Sequence, residues 1–217
     1  MRSDSLPYFA KIIYNFRRTG SSLFTYDCAH CGKAVRGRAL CEECEKLLMP
    51  AAEENENTVS AFYYDSAAKS AVLKHKFSGC DYCADTLCDW LCVGFEKLEN
   101  QKFDFALPVP SFGVTETKLY YLVKDFCAAK EIPFKPSVLK KIRKTEKQHN
   151  LSAKDRKENL KDAFKASSAV AGKTVLLIDD ILTTGTTVSE CSKTLLEAGA
   201  EKVFVLTVLK TKFDYEE

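Results

Sequence analysis

The chain has 217 residues, of which 46% are hydrophobic and 29% charged, and a formal net charge of +2. This length allows one full α/β core plus a small accessory module, and the composition is that of a soluble globular protein. No run of about 18 apolar residues occurs, so we expect no membrane span. The first residues lack the pattern of a secretion signal, and the ten cysteines are therefore expected to stay reduced.

The N-terminal part is predicted to hold an amphipathic helix and then a metal-binding knuckle. Two Cys-x-x-Cys pairs separated by nine residues supply four candidate ligands, Cys28, Cys31, Cys41 and Cys44. Four thiolates at tetrahedral geometry suit zinc, and a module this small needs a metal in order to fold. With four protein ligands the site is closed, which indicates a structural role. An iron–sulfur cluster, a redox pair and free thiols are the alternatives.

A second group of cysteines, Cys80, Cys83, Cys88 and Cys92, follows later in the chain. Their spacing places them near one face of a helix that is predicted from about residue 81 to 99. A second metal site is one interpretation. Buried cysteines that act as small apolar side chains are the other, and the spread over about three helical turns favours it.

After an acidic linker at residues 53–57, the pattern becomes α/β. Strands are predicted at 59–64, 103–109, 175–179 and 203–208, and helices at 66–77, 81–99, 119–130 and 189–198. Buried apolar strands that alternate with helices indicate a mostly parallel sheet flanked by helices. We therefore expect an N-terminal zinc-binding module over 1–52 and an α/β domain over 58–217.

The strand at 175–179 ends in two adjacent carboxylates, and a short run of threonines with one glycine follows. The residues concerned are Asp179 and Asp180, then Thr183, Thr184, Gly185, Thr186 and Thr187. Ligands of open α/β sheets bind beyond the carboxyl ends of strands, and a Thr/Gly loop that enters a helix suits a phosphate. The carboxylates can accept hydrogen bonds from sugar hydroxyls. No Gly-Lys-Ser/Thr follows, and the spacing of a dinucleotide fingerprint is absent.

This segment resembles the phosphoribosyl pyrophosphate (PRPP) loop of type I phosphoribosyltransferases. In those enzymes the acidic pair binds the ribose hydroxyls and the Thr/Gly run wraps the 5-phosphate. The resemblance implies a type I phosphoribosyltransferase fold, with Asp179 and Asp180 as the catalytic pair and residues 183–187 as the phosphate loop.

A basic stretch at 135–165 contains eleven Lys or Arg against four Asp or Glu. Solvated surface is one explanation, and an anionic partner such as a pyrophosphate or a nucleic-acid backbone is the other.

The order of short motifs along nearly the whole chain carries a second resemblance. The two cysteine pairs precede Leu73-Lys74-His75-Lys76-Phe77, Pro108-Val109-Pro110, Arg143-x-Thr145-x-x-Gln148-x-x-Leu151, Arg156-x-x-Asn159, Ala163-Phe164 and the Asp179-Asp180 loop. This order resembles the ComF family, phosphoribosyltransferase-like proteins associated with natural competence. The family implies a zinc module on a phosphoribosyltransferase domain, a cytoplasmic location, and a role beside the DNA-uptake helicase-like ATPase.

Two functions follow from this resemblance. In the first, the protein is a pentosyl transferase that binds PRPP with Mg²⁺, and a base or ammonia displaces pyrophosphate. The proposed substrate-binding residues are Lys74 and Lys76, and the turn at Pro110 and Ser111. Three more come from the basic stretch at 135–165, which we call the hood: Arg143, Gln148 and Arg156. In the second, it is an inactive scaffold or sensor that contacts single-stranded DNA or the ATPase.

One segment departs from the family. ComF proteins usually carry Arg-Gly-Phe-Asn-Gln after the Pro-x-Pro strand end, whereas this chain has Gly113-Val114-Thr115-Glu116-Thr117-Lys118-Leu119. The missing Arg puts pyrophosphate binding in question. Lys118 would replace it only in part, because a lysine is a point charge without the planar guanidinium fork.

Overall fold

Four parallel strands form the central sheet of the computed structural model, which describes residues 24–52, 55–77, 81–98, 100–145 and 159–212. The strands are β3 (Thr58–Tyr63), β4 (Phe105–Pro108), β7 (Thr174–Leu182) and β8 (Lys202–Lys210), in the order β3-β8-β7-β4. β7 and β8 are rich in Val, Leu and Ile and are buried along most of their length. Such continuous apolar runs are typical of parallel strands that are covered on both faces.

Helices and a small hairpin cover the two faces of this sheet. One face carries α2 (Ser66–Phe77), α3 (Asp81–Phe95) and α4 (Lys118–Lys130), which belong with the sheet to one core cluster. The opposite face carries α5 (Thr186–Glu197) and the hairpin of β5 (Leu139–Lys141) and β6 (Phe164–Ala166), which build a second cluster. The predicted α/β class with a mostly parallel sheet is confirmed.

The cysteine-bearing segment folds as a small unit against the first of these faces. It consists of the hairpin β1 (Thr25–Asp27) and β2 (Ala34–Arg36) and the one-turn helix α1 (Glu42–Glu45). We call residues 25–45 the Cys module. Its Leu40 is fully buried within the same core cluster as the helices of the main domain. The boundaries 1–52 and 58–217 therefore divide a continuous core, and they stay a prediction.

Several boundaries differ from those expected from the sequence, and two of them lie beside the Asp-Asp and Thr/Gly segment. β7 continues three residues beyond Asp179, to Leu182, because Ile181 and Leu182 still pair with β8. The following helix starts at Thr186, three residues earlier than predicted. The helix that is predicted before residue 24 lies outside the described residues. Within the described ranges, no helix combines the length and the apolar character that crossing a membrane would require.

Candidate functional site

The carboxyl ends of β4 and β7 bring two predicted site segments together. Pro108 pairs with Ile178, and the Val109 backbone N–H donates to the Ile178 carbonyl at 2.8 Å. This register places the turn at Pro110 and Ser111 beside the last residues of β7, which include Asp179 and Asp180. The polar site residues of the two strands thus share one edge of the sheet, the edge at which α/β proteins bind ligands.

The Thr/Gly run after β7 forms a tight loop that leads directly into α5. Gly185 is the N-cap residue of this 12-residue helix and has φ +72°, a left-handed conformation that glycine adopts without strain. The hydroxyl oxygens of Thr184 and Thr186 are 2.8 Å apart. Backbone N–H groups in the first turn of a helix have no partner within the helix, and the helix dipole is positive there. The loop therefore has the geometry of an anion site.

Asp179 and Asp180 differ in their surroundings. The Asp180 carboxylate is 2.7 Å from the Nζ of Lys76, at the C-terminal end of α2, and both side chains are largely shielded from solvent. Asp179 accepts a hydrogen bond from the Asp180 backbone N–H at 2.9 Å. Burial, with the negative charge of Asp180, raises the pKa of Asp179 to about 7, against the opposing effect of Lys76. From the sequence alone the pair had no evident fixed partner; the structure supplies Lys76.

The raised pKa of Asp179 predicts a pH-dependent stability. An unfolded aspartate titrates near 3.8, so between that pH and about 7 the folded state binds more protons than the unfolded state. The free energy of unfolding should fall as the pH rises through this window, by at most about 1.4 kcal/mol per pH unit. Urea unfolding at several pH values measures this contribution, which should disappear in Asp179→Asn. Identical pH profiles of the two proteins would contradict it.

The two predicted lysines of α2 point to different parts of the molecule. Lys74 donates to the backbone carbonyl of Asp27 in the Cys module at 3.2 Å, and its Nζ lies 5.8 Å from the ring centroid of Tyr82. Lys76 reaches Asp180 instead. Lys118 donates to the backbone carbonyl of His75, so it holds the end of α2 and does not stand in for an arginine of the pyrophosphate turn.

The hood residues are only partly described. The Arg143 guanidinium donates to the carbonyls of Asn159 and Lys161 at 3.0 and 2.6 Å, which ties the two ends of the β5–β6 excursion together. Gln148 and Arg156 lie outside the described residues. Lys141 is partly buried and donates to Thr145, and burial lowers the pKa of its ammonium group. Sequence reading missed Lys141, because nothing in a basic stretch distinguishes a half-buried lysine from its exposed neighbours.

A cavity of about 610 Å³ is lined by the turn after β4 and by residues of β5. Its lining includes Pro110 and Ser111 from that turn, Lys140 and Lys141 of β5, and Glu116. The volume can accommodate a nucleotide-sized ligand. Glu116, which accepts a hydrogen bond from the Tyr121 hydroxyl, adds a negative charge to this lining.

The left-handed conformation of Gly185 leads to a test of the phosphate loop. A valine there is strained, since a left-handed conformation costs a β-branched residue roughly 1–2 kcal/mol. Relaxation of the loop should misdirect its N–H groups, and we expect PRPP affinity to fall about tenfold or more in Gly185→Val. The measurement is PRPP titration by calorimetry.

Gly172 provides the matched control. It has a similar φ of +66°, and an added Cβ there would meet no atom within 4 Å. Gly172→Val should therefore lose comparable stability without losing PRPP affinity. Equal affinities in the two variants would argue against a phosphate site on this loop.

The four predicted metal ligands come together in the Cys module. The sulfur atoms of Cys28, Cys31, Cys41 and Cys44 all lie within 4.8 Å of one another, and those of Cys31 and Cys41 are 3.7 Å apart. A tetrahedral zinc with Zn–S distances of about 2.3 Å needs S···S separations of about 3.8 Å, so the cluster fits such an ion. The four cysteines can hold a metal ion.

The backbone conformation around Gly32 positions the first two cysteines of this cluster. Gly32, at φ +77°, turns the first knuckle, and its N–H donates to the Cys28 carbonyl at 3.1 Å. Burial alone would raise the pKa of Cys28, but backbone hydrogen bonds from Cys31, Cys41 and His30 lower it to about 6. Burial raises the pKa of Cys44 well above its usual range. A thiolate at Cys28 is the form that binds metals.

The other cysteines form no second cluster in the part of the chain that the structure describes. Cys83 and Cys88 are buried on α3, and Cys127 and Cys191 are buried on α4 and α5. Burial raises the pKa of Cys127 and of Cys191. They behave as small apolar residues. Cys80 lies outside the described residues.

Comparison with known proteins agrees with this geometry. The profile of the Phosphoribosyl transferase domain family matches residues 123–217. Competence protein F of Haemophilus influenzae is 28% identical over 190 residues, 82% of either chain. DNA utilization protein YhgH of Escherichia coli is 44% identical over 71 residues, or 33% of this chain and 31% of that protein.

Two solved structures illustrate the range of fold neighbours. A hypoxanthine phosphoribosyltransferase of Staphylococcus aureus is 19% identical, covers 60% of this chain and 66% of its own, and gives a TM-score of 0.37. Leishmania donovani UMP synthase covers 96% of this chain and 32% of its own, with 15% identity and a TM-score of 0.39. These scores are low, and the fold assignment rests on the sheet topology and the domain match.

A parallel sheet with an Asp-Asp and Thr/Gly loop at its carboxyl edge defines a phosphoribosyltransferase-like protein of type I. The matching relatives and the Cys module narrow the class. The similarity to Competence protein F over 82% of either chain, together with the four-cysteine cluster, supports the resemblance to the ComF family.

Proposed function

We propose that the protein binds PRPP or a related phosphoribosyl ligand. The observation that carries this proposal is the conformation of the loop at 183–187. There Gly185 turns the chain from the end of β7, which carries Asp179 and Asp180, directly into α5. The 5-phosphate would lie on the N–H groups of this loop, and Asp179 and Asp180 would accept hydrogen bonds from the ribose hydroxyls.

The chemistry that this site supports is transfer of the ribosyl group. A nucleophile such as a base nitrogen or ammonia attacks the anomeric carbon while pyrophosphate leaves with the bonding electron pair. The turn at Pro110 and Ser111 would receive the pyrophosphate, and Arg143, Gln148 and Arg156 are proposed to act from the hood. Positioning and charge neutralisation supply most of the rate in such a reaction. Mg²⁺, when bound with PRPP, supplies positive charge to the pyrophosphate oxygens.

The names of the relatives suggest where this activity is used. Competence protein F and DNA utilization protein YhgH connect the family with the uptake and use of DNA. We propose a cytoplasmic role in DNA uptake, with single-stranded DNA and a helicase-like ATPase as partners. The metal of the Cys module is proposed to be structural zinc, held by Cys28, Cys31, Cys41 and Cys44.

A second candidate is a protein that binds PRPP without turnover. Two features favour it: Glu116 adds a carboxylate to the lining of the cavity, and Lys118 is engaged with the His75 carbonyl. Both weaken the positive field that a leaving pyrophosphate needs. The protein would then act as a sensor or scaffold in DNA uptake.

Isotope exchange separates the two candidates. Labelled pyrophosphate is incubated with protein, PRPP, Mg²⁺ and a panel of bases, and label in PRPP is counted. Incorporation that depends on one base establishes a transferase. PRPP binding by calorimetry without incorporation supports the sensor, and absence of PRPP binding overturns the proposed function.

A further inference from the structure

The helix α2 connects the Cys module with the phosphoribosyl site. On its module side, Ser70 lies 3.1 Å from His30, and Lys74 donates to the Asp27 carbonyl at 3.2 Å. Residues 70 and 74 are one turn apart and share a face of the helix. Lys76 lies two residues beyond Lys74, on a different face, and binds Asp180 at 2.7 Å. One short helix thus touches both sites.

The contact between Lys74 and the Cys module is built from several groups. The Asp27 carbonyl also accepts from the Tyr82 hydroxyl at 3.1 Å, and the Tyr82 ring stacks on Tyr26 of β1 at 4.1 Å. Asp27 directly precedes Cys28, the first of the four clustered cysteines. The position of the last turn of α2 therefore depends on how the chain enters the metal site.

We propose that Lys74 is a positioning residue that couples metal binding in the Cys module to phosphoribosyl binding. Through Lys74, the metal-bound module fixes the last turn of α2, and Lys76 then holds Asp180 in the orientation that accepts a ribose hydroxyl. Lys74 itself does not touch the ligand. This inference rests on the proposed function, because it assigns a regulator to the same site.

The first test compares two lysines of the same helix. Lys69 lies 5.8 Å from the Tyr64 ring centroid, just as Lys74 lies 5.8 Å from that of Tyr82. Of these two lysines, only Lys74 donates to the Cys module among the described contacts. We expect zinc-loaded Lys74→Gln to bind PRPP about fivefold more weakly than wild type, near the lower end of typical site-to-site couplings. Lys69→Gln should bind as wild type does, and Lys74→Arg should recover most of the affinity.

The second test uses the reciprocity of coupled binding. If zinc tightens PRPP binding, then PRPP must tighten zinc binding by the same factor. Competition with a chromophoric chelator at equilibrium should show an increase of about fivefold in zinc affinity on addition of PRPP to wild type. The increase should vanish in Lys74→Gln. Replacement of a residue with a purely local structural role would leave this increase in zinc affinity unchanged.

A third variant separates positioning from direct ligand contact. Tyr82→Phe keeps the stacked ring and removes only the hydroxyl that donates to Asp27. If Lys74 acts by positioning α2, this variant should also bind PRPP more weakly than wild type. If Lys74 instead contacts the ligand directly, the variant should bind PRPP normally, and PRPP should not change its zinc affinity. Equal PRPP affinity in Lys74→Gln and Lys69→Gln overturns the inference and leaves the proposed function standing. A wild-type protein with no PRPP affinity overturns both.

Discussion

Replacement of Cys28 and Cys44 by serine is expected to abolish metal binding and to unfold the Cys module. Serine supplies no thiolate, and structural zinc sites stabilise small domains by an apparent 10–16 kcal/mol or so. Whole domains are stable by only about 5–15 kcal/mol. Because Leu40 and Ala39 of the module are fully buried in the core shared with α2 and α3, the loss should spread to the main domain. Metal analysis by mass spectrometry and thermal melting measure the two effects.

Cys127 offers a matched control for this experiment. It is as deeply buried as Cys28, with 2% exposure for each, but it lies on α4 and outside the cluster. Cys127→Ser should lose about 1–3 kcal/mol of stability and keep its zinc. Metal-free wild-type protein, purified without chelator and melting normally, would rule out a structural metal. Iron together with inorganic sulfide would instead establish the iron–sulfur alternative.

The double substitution Asp179→Asn, Asp180→Asn is expected to remove most PRPP affinity while it leaves the fold intact. A hydrogen bond to a charged acceptor contributes about 1.5–3 kcal/mol, so two such bonds correspond to a loss of roughly 10²-fold to 10⁴-fold. Stability responds to opposing effects. The substitution removes a buried carboxylate whose pKa is raised, and it also removes the ion pair of Lys76 with Asp180. We expect a melting temperature at or above that of wild type near pH 8.

Asp104, which directly precedes β4, provides a control carboxylate at the amino-terminal end of the sheet strands. It pairs with Lys173 at 2.8 Å and accepts from the Thr174 backbone N–H at 2.9 Å. Asp104→Asn should lower the melting temperature slightly and leave PRPP affinity unchanged. If the double variant at 179 and 180 instead melts far below wild type and still binds PRPP, the pair is structural and the proposed site is wrong.

Local patterns were sufficient to predict the strands of the central sheet and the helices that cover it, but not the short strands β1, β2, β5 and β6. The helix over Ser66–Phe77 has the predicted limits, and the four sheet strands fall where apolar, β-branched runs predicted them. The cysteine spacing predicted the cluster, because four thiolates on two tight knuckles have few ways to meet. The Asp-Asp and Thr/Gly run predicted the loop for a similar reason: its turn residues determine the backbone conformation locally.

Contacts between distant elements could not be obtained in this way. Lys74 and Lys76 look equivalent in the sequence, yet two positions along a helix differ by about 200° around its axis, and only packing decides which lysine meets Asp180. The extension of β7 to Leu182 depends in the same way on pairing with β8, a strand that begins 20 residues later. The roles of Gln148 and Arg156 stay predictions.

The order of strands in the sheet has a consequence for the synthesis of this protein. β8, the last of the described strands in chain order, lies between β3 and β7 and pairs with both. Until residues 202–210 have emerged from the ribosome, β3 and β7 both lack their shared partner. Each then exposes an apolar strand edge that is unpaired. Unpaired edges recruit other chains. Sheet closure must therefore wait until residues 202–210 are available, and premature termination before residue 202 is expected to give products that aggregate or are degraded.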